Sequence, residues 1–165
     1  MNKKQIKNIL EQTKILFLEN DHYLLTVEAN ERSLTHKFAE HLQTVIGCSW
    51  NVDCEYNRYG PEIKVIDGIK EIVGCDTPTD DIKAKTVFPD IIIHKRGADG
   101  PNLVVIEAKK DANDEHRIKD VQKLQKIQTK YNYCFAVFID FKTETKGIEV
   151  VFLDNKNYEL RCKNN

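Results

Sequence analysis

The chain has 165 residues, 41% of them apolar, which is enough for one compact domain with a core. Its 25 basic and 26 acidic residues leave a net charge of -1. That balance argues against a broad phosphate-gripping surface but leaves room for a local basic stripe. No run approaches the roughly 20 apolar residues a membrane span needs. The polar start, Met1-Asn2-Lys3-Lys4, lacks the apolar core of a secretion signal. We therefore expect a cytoplasmic protein with no membrane partner. The five cysteines form no C-x-x-C pair, so reduced thiols are expected rather than a zinc ribbon or a disulfide framework.

In chain order, residues 5–18 read as a helix with Ile6, Leu10, Thr13 and Phe17 on one face. Tyr23 to Val27 suits either a short strand or a helical piece. Asn30 is placed to cap a helix running from Glu31 to Ile46, with Leu34, Phe38, Leu42, Val45 and Ile46 along its apolar stripe. Gly47 stands where such a helix would end. Ser49 to Tyr56 alternates, with Trp50, Val52, Cys54 and Tyr56 on one face, and predicts a half-buried strand.

Residues 58–86 read as an insertion punctuated by Gly60-Pro61 and Thr77-Pro78. Val87–Ile93 and Leu103–Ile106 then predict two strands of a hairpin joined by the polar loop Lys95–Pro101. A helix over Asp114–Tyr131 is expected to bury Ile118, Val121, Leu124, Ile127 and Tyr131. Tyr133–Phe141 predicts a central strand, and Ile148–Leu153 a last one. The whole reads as α/β: a single domain over 1–165 with a mixed central sheet flanked by helices. Residues 1–28 would be a helical extension, 29–141 the core, 58–86 the insertion, and 147–154 an extra strand.

The chemistry concentrates in the hairpin. Asp90 opens an otherwise apolar strand, and Glu107 and Lys109 close its neighbour on one shared face. In an antiparallel pair the start of one strand lies beside the end of the next, so these three residues are expected to meet. Two carboxylates and an ammonium at a buried strand end are costly unless they serve one another or a metal. Hard oxygen donors of this kind suit Mg2+, with Mn2+ as a substitute. An acidic residue two before a lysine occurs at Glu62, Asp81, Glu107, Asp140, Glu144 and Asp154, so the triplet alone says little. What distinguishes Glu107 is the apolar strand before it and the chain's one Pro-Asp pair, Pro89-Asp90. The plain alternative is a turn-capping Asp90 and a solvated strand end.

This order of elements, with Pro-Asp opening one strand and Glu-Ala-Lys closing the next, resembles the PD-(D/E)XK nuclease superfamily. Asn30-Glu31-Arg32-Ser33, Val52-Asp53-Cys54-Glu55-Tyr56-Asn57-Arg58 and Pro89-Asp90-Ile91-Ile92-Ile93-His94 are similar to an uncharacterised prokaryotic branch of it. The likeness spans roughly residues 28 to 141 and implies a restriction-endonuclease-like αβββαβ core. It also implies a metal held by Asp90, Glu107 and the backbone carbonyl of Ala108, with Lys109 assisting a water. Members often add an acid from the first core helix. Glu31 extends the core-facing stripe and is preferred to Glu40, which points away; a carboxylate that merely favours a helix start is the plain alternative for Glu31.

Arg58, Lys95, Arg96, Lys119 and Lys123 are candidates for contacting nucleic acid, against the alternative of a solvated polar surface. Glu55 to Arg58 could line the cleft, whereas His94 lies farther along its strand and suits a structural or rim position. The expected activity is metal-dependent phosphodiester hydrolysis on DNA rather than RNA, with a homodimer allowed for. The competing expectations are a catalytically silent module of the same fold that binds nucleic acid or a protein, and an α/β protein with coincidental carboxylates.

Overall fold

The computed structural model describes residues 1–56, 88–97 and 100–153, except the side chain of residue 116, plus the backbone of four two-residue strands between 58 and 86. Helix α1 (Lys3–Asn20) opens with Asn2, which accepts from the Gln5 N–H while the Gln5 side chain returns to the Asn2 N–H. That reciprocal cap satisfies two otherwise orphan donors. Ile6, Leu10, Thr13 and Phe17 are its buried residues, as the periodicity required. The ambiguous stretch after it is a short helix, α2 (His22–Thr26), which seats Leu25 in the core. Helix α3 (Glu31–Ile46) starts where Asn30 accepts from the Ser33 N–H and ends at Gly47, whose φ of 74° few other residues adopt.

Strand β1 (Asn51–Cys54) is shorter than the alternating pattern predicts. Glu55 has φ 48°, which breaks the extended backbone and the alternation with it. Trp50 and Val52 consequently pack on one side of the sheet and Tyr56 on the other. Within the insertion, β2 (Arg58–Tyr59) pairs with β3 (Glu62–Ile63), and β4 (Val65–Ile66) with β5 (Lys85–Thr86), both antiparallel. The rest of residues 58–86 lies outside the described part.

Strands β6 (Ile91–His94) and β7 (Asn102–Lys110) form the expected antiparallel hairpin, with Ile91 opposite Ile106. β7 runs four residues further than the apolar stretch, so Glu107 and Lys109 lie within it. Helix α4 (Asp114–Lys130) leads to β8 (Phe135–Lys142), which lies parallel to β7, and β9 (Gly147–Phe152) closes antiparallel. The mixed five-stranded sheet has the order β1-β6-β7-β8-β9. β8 is thus an interior strand, but the middle strand is β7.

Helices cover both faces, which explains why β7 buries seven successive residues from Asn102 to Ala108. On one face α1 and α3 bring Ile6, Leu10, Phe17, Leu34, Phe38 and Leu42 onto Ile93, Ile106 and Ile139. Phe17, Phe38 and Phe141 form a ring cluster with centroids 5.7–6.3 Å apart. Pairs of this kind add about 0.5–1.5 kcal/mol beyond area burial, so they fix the position of α3 over the strand ends. On the other face α4 lays Leu124, Ile127 and Tyr131 on Ile92, Val105 and Phe138.

The α4 stripe departs from expectation at its start. Ile118 is 59% exposed and Val121 only half-buried. Steps of three residues fall about 60° short of a full turn, so a stripe drawn through 118, 121, 124 and 127 drifts around the helix. The buried face runs back from Leu124 towards Asp120 and Arg117 instead. Among the described residues, no helix is long and apolar enough to cross a membrane. Cys48 and Cys54 are free thiols, but Cys134 is disulfide-bonded, which corrects the expectation of reduced thiols throughout. Sequence spacing carries no information about such a contact, and Cys75 and Cys162 lie outside the described residues.

Candidate active site

The pairing of β6 with β7 begins at Ile91 opposite Ile106, one residue short of Glu107. Asp90, just ahead of β6, therefore stands where a further strand residue would have paired, and its Oδ2 accepts from the Ala108 N–H at 2.8 Å. A residue's N–H and C=O point to the same edge of a strand. The Ala108 carbonyl accordingly also faces the Asp90 edge. Burial pushes the Asp90 carboxyl above its ordinary range; the Ala108 N–H, Lys123 and Lys109 oppose that shift, and Glu31 adds to it.

Glu107 comes from the middle strand and is 1% exposed. Its Oε1 accepts from the Lys123 ammonium, reached from α4, and its Oε2 is buried with no hydrogen-bond partner. Burial, then the neighbouring Asp90, pushes Glu107 up to about 8, against the pull of Lys123. A carboxylate oxygen left in this state costs about 1–3 kcal/mol or more. The centre therefore carries a deficit of positive charge.

Lys109 points from the same strand face over the end of the sheet. Its Nζ donates to Glu31 Oε1 at 3.2 Å, while the Lys110 N–H donates to Glu31 Oε2 at 3.1 Å. Lys110 Nζ also donates to the Glu28 carbonyl at 2.8 Å, so Glu31 at the start of α3 and Glu28 in the segment before it tie to the end of β7 at three points. Burial works against the Lys109 charge, but Glu31, Asp120 and Asp90 outweigh it and raise the ammonium's pKa. Lys109 is a firm cation.

Glu31 thus reaches the strand end, whereas Glu40 lies on the exposed side of α3 with Lys37 at 2.7 Å and His36 at 3.2 Å. Beside Glu31 and Asp90 opens a cleft of about 410 Å³, lined by the first turns of α3 (Arg32, Thr35, His36) and the end of β1 (Cys54, Glu55). Arg32 is 86% exposed at its rim and pairs with Glu55 at 3.1 Å.

The candidate phosphate contacts fare differently. Lys123 is not a surface cation: its side chain is 17% exposed and it serves Glu107. It sits one turn from Leu124's buried neighbours, on the face the drifting stripe misplaced. Lys119 pairs with Glu115 on its own helix at 2.7 Å. Arg96 is engaged by both oxygens of Asp53, and Lys95 lies over the Trp50 ring at 5.4 Å. The Arg58 side chain lies outside the described residues. His94 is buried, bonded to Asp53 at 2.7 Å and packed against the Tyr56 ring at 4.8 Å with the planes tilted by 55°, in keeping with a structural position.

Two residues near the centre were not singled out from sequence in this place, Asp120 and Lys123. The field of Asp120 raises both Glu107 and Lys109. A polar i, i+3 pair immediately preceding Leu124 on the buried face was the available signal. No family model matches the chain, and no curated protein or solved structure matches it.

Proposed function

We propose that the chain is a metal-dependent nuclease of the PD-(D/E)XK type, hydrolysing phosphodiester bonds in DNA. The observation that carries this reading is the convergence of Asp90, Glu107, Lys109 and Glu31, from three separate elements, on one end of the sheet beside an open cleft. Leaving aside the short strands β2–β5, the order α3, β1, β6, β7, α4, β8 supports a reading as an αβββαβ core.

The donors fit Mg2+ or Mn2+. Among the described residues, no three His, Cys, Asp or Glu side chains are grouped to enclose a metal. Mg2+ is commonly held by only one or two carboxylates, with waters and substrate phosphates completing its shell. Asp90, the orphaned Oε2 of Glu107 and the Ala108 carbonyl are such a set. When bound, the ion would polarise a phosphoryl oxygen and acidify a water. Lys109 holds its charge beside the carboxylates, where it can orient that water or offset charge developing on the phosphate. Glu31 holds Lys109 in place, and the walls of the cleft take the strand.

A panel of duplex, branched and single-stranded DNA and RNA, with Mg2+ or Mn2+, tests the reading. Cleavage that requires metal and vanishes in Asp90→Ala is the expected result; no cleavage of any form by folded wild-type protein would sink it. In the same assay Glu31→Gln is expected to lose about 10- to 100-fold in rate, as when a carboxylate orienting a site's ligands is removed. Thermal denaturation of that variant should show no more than about 1 kcal/mol lost, since Glu31 is half-exposed and its shape is kept. Unchanged cleavage would leave Glu31 only its role at the helix start.

One observation favours a second reading. The Lys123 ammonium already occupies one Glu107 oxygen from within the chain, as a nucleic-acid- or protein-binding module that no longer cuts would need. Binding of nucleic acid without metal-dependent cleavage would select it.

A further inference from the structure

Glu107 is the most deeply buried acid of the centre, with its side chain 2% exposed, and the cation bonded to its Oε1 comes from the protein itself. Lys123 reaches it from the side of α4, along a stem that leaves 17% of the side chain exposed. Among the described residues, the remaining Glu107 oxygen has no hydrogen-bond partner, and the Asp90 carboxylate accepts from the Ala108 N–H with no cation bonded to it. Lys109, the other ammonium nearby, is anchored elsewhere, on Glu31.

The two lysines therefore differ in kind. Lys109 is held by a partner that is not a metal donor in this scheme, so its position survives when a cation arrives. Lys123 is held by Glu107 itself. A divalent ion and an ammonium cannot both sit at full strength on one carboxylate, because like charges repel strongly in a desolvated site. Lysine suits displacement: it is a compact charge on a flexible four-carbon stem, and its partly exposed position gives the ammonium water to return to.

We propose that Lys123 is a resident cation of the metal site, seated on Glu107 Oε1 in the metal-free protein and displaced towards solvent when a divalent cation binds. This rests on the metal-site reading above. Lys123 would then set the concentration at which the site loads and would hold the centre together until it does. It is a positioning residue and takes no part in the chemical step.

The test is a manganese titration of wild type and Lys123→Met, read as the rise in thermal midpoint and as calorimetric affinity, with no substrate present. Removing the competitor should lower the midpoint of the metal-free protein and tighten Mn2+ binding by about 10-fold or more. Equal or weaker binding by the variant, with wild type still binding, would overturn the resident-cation proposal and leave the metal site standing. Absence of Mn2+ binding in both proteins would remove the metal site and the proposal together. Binding in the variant alone would support the proposal most strongly. Should Lys123→Met fail to fold, amine labelling of wild type followed by peptide mass spectrometry decides. Lys123 should label slowly without metal and faster at saturating Mn2+, and a rate that Mn2+ leaves unchanged overturns the proposal.

Discussion

Lys109→Met should lower metal-dependent cleavage by at least about 100-fold while Mn2+ binding stays intact or tightens slightly. An ammonium cannot ligate a cation, so its loss removes no metal donor. What is lost is a cation that Glu31, Asp120 and Asp90 keep charged despite its burial. Such a group is useful where negative charge grows on a phosphate, and useless for holding Mg2+. Folding should survive the change. Glu31 retains the Lys110 N–H, and the Lys109–Glu31 pair is exposed enough to be worth no more than about 1 kcal/mol. Cleavage rates and manganese calorimetry on the same preparation separate the two effects. A variant that cuts at the wild-type rate would exclude Lys109 from the chemistry, whatever the fold. A variant that loses Mn2+ binding would place Lys109 in the architecture of the site instead.

The parts of this structure that were legible in the sequence are those governed by local periodicity. α1 and α3 have long, clean apolar stripes; the bounds of α3 follow from its Asn30 cap and Gly47, while α1 runs two residues beyond the expected 5–18 at each end. The hairpin of β6 and β7 was legible because two apolar runs flank a Gly-containing loop. That same reasoning brings Asp90 to the end of β7, since antiparallel pairing is a geometric necessity once the hairpin is granted.

Three features escaped because they depend on tertiary facts. At β1 a single positive-φ residue, Glu55, ends the strand and sends Tyr56 to the opposite face, which no alternation pattern encodes. On α4 the rotation of the helix about its axis is set by what it packs on. Ile118 is left outside, and Lys123 is turned inward to Glu107. Arg96 and Lys95 looked free for phosphate, yet Asp53 and Trp50 lie across the sheet end and occupy them. Charge counting assigns residues to a surface, but only packing decides which charges are already spent.

The burial of Glu107 has a consequence measurable without substrate or metal. Its folded pKa of about 8 lies far above the ordinary 4.5, because the desolvated carboxylate is disfavoured and Asp90 adds repulsion. Between those two values the folded chain holds a proton on Glu107 that the unfolded chain has released. Stability from this group is therefore complete below pH 4.5 and is lost as pH rises through about 8. Asp90, also raised by burial, acts with the same sign. Asp53 and Asp111 have depressed values, Asp53 through Arg96 and His94 and Asp111 through Thr143, each against its own burial. Their contribution is lost only in acid, as pH falls below the ordinary aspartate value of 3.8. The metal-free protein should thus lose stability steadily from about pH 5 to pH 8.5. Glu107→Gln should flatten that slope and be more stable than wild type at the alkaline end, because glutamine still accepts from Lys123 but has no proton to lose. It should also abolish the Mn2+-induced rise in thermal midpoint. Denaturant melts of both proteins at half-unit pH intervals measure the slope directly. If Glu107→Gln keeps the wild-type slope, Glu107 is already ionised in the folded chain at pH 5. Lys123 then compensates it fully, and the charge deficit inferred for this centre does not exist.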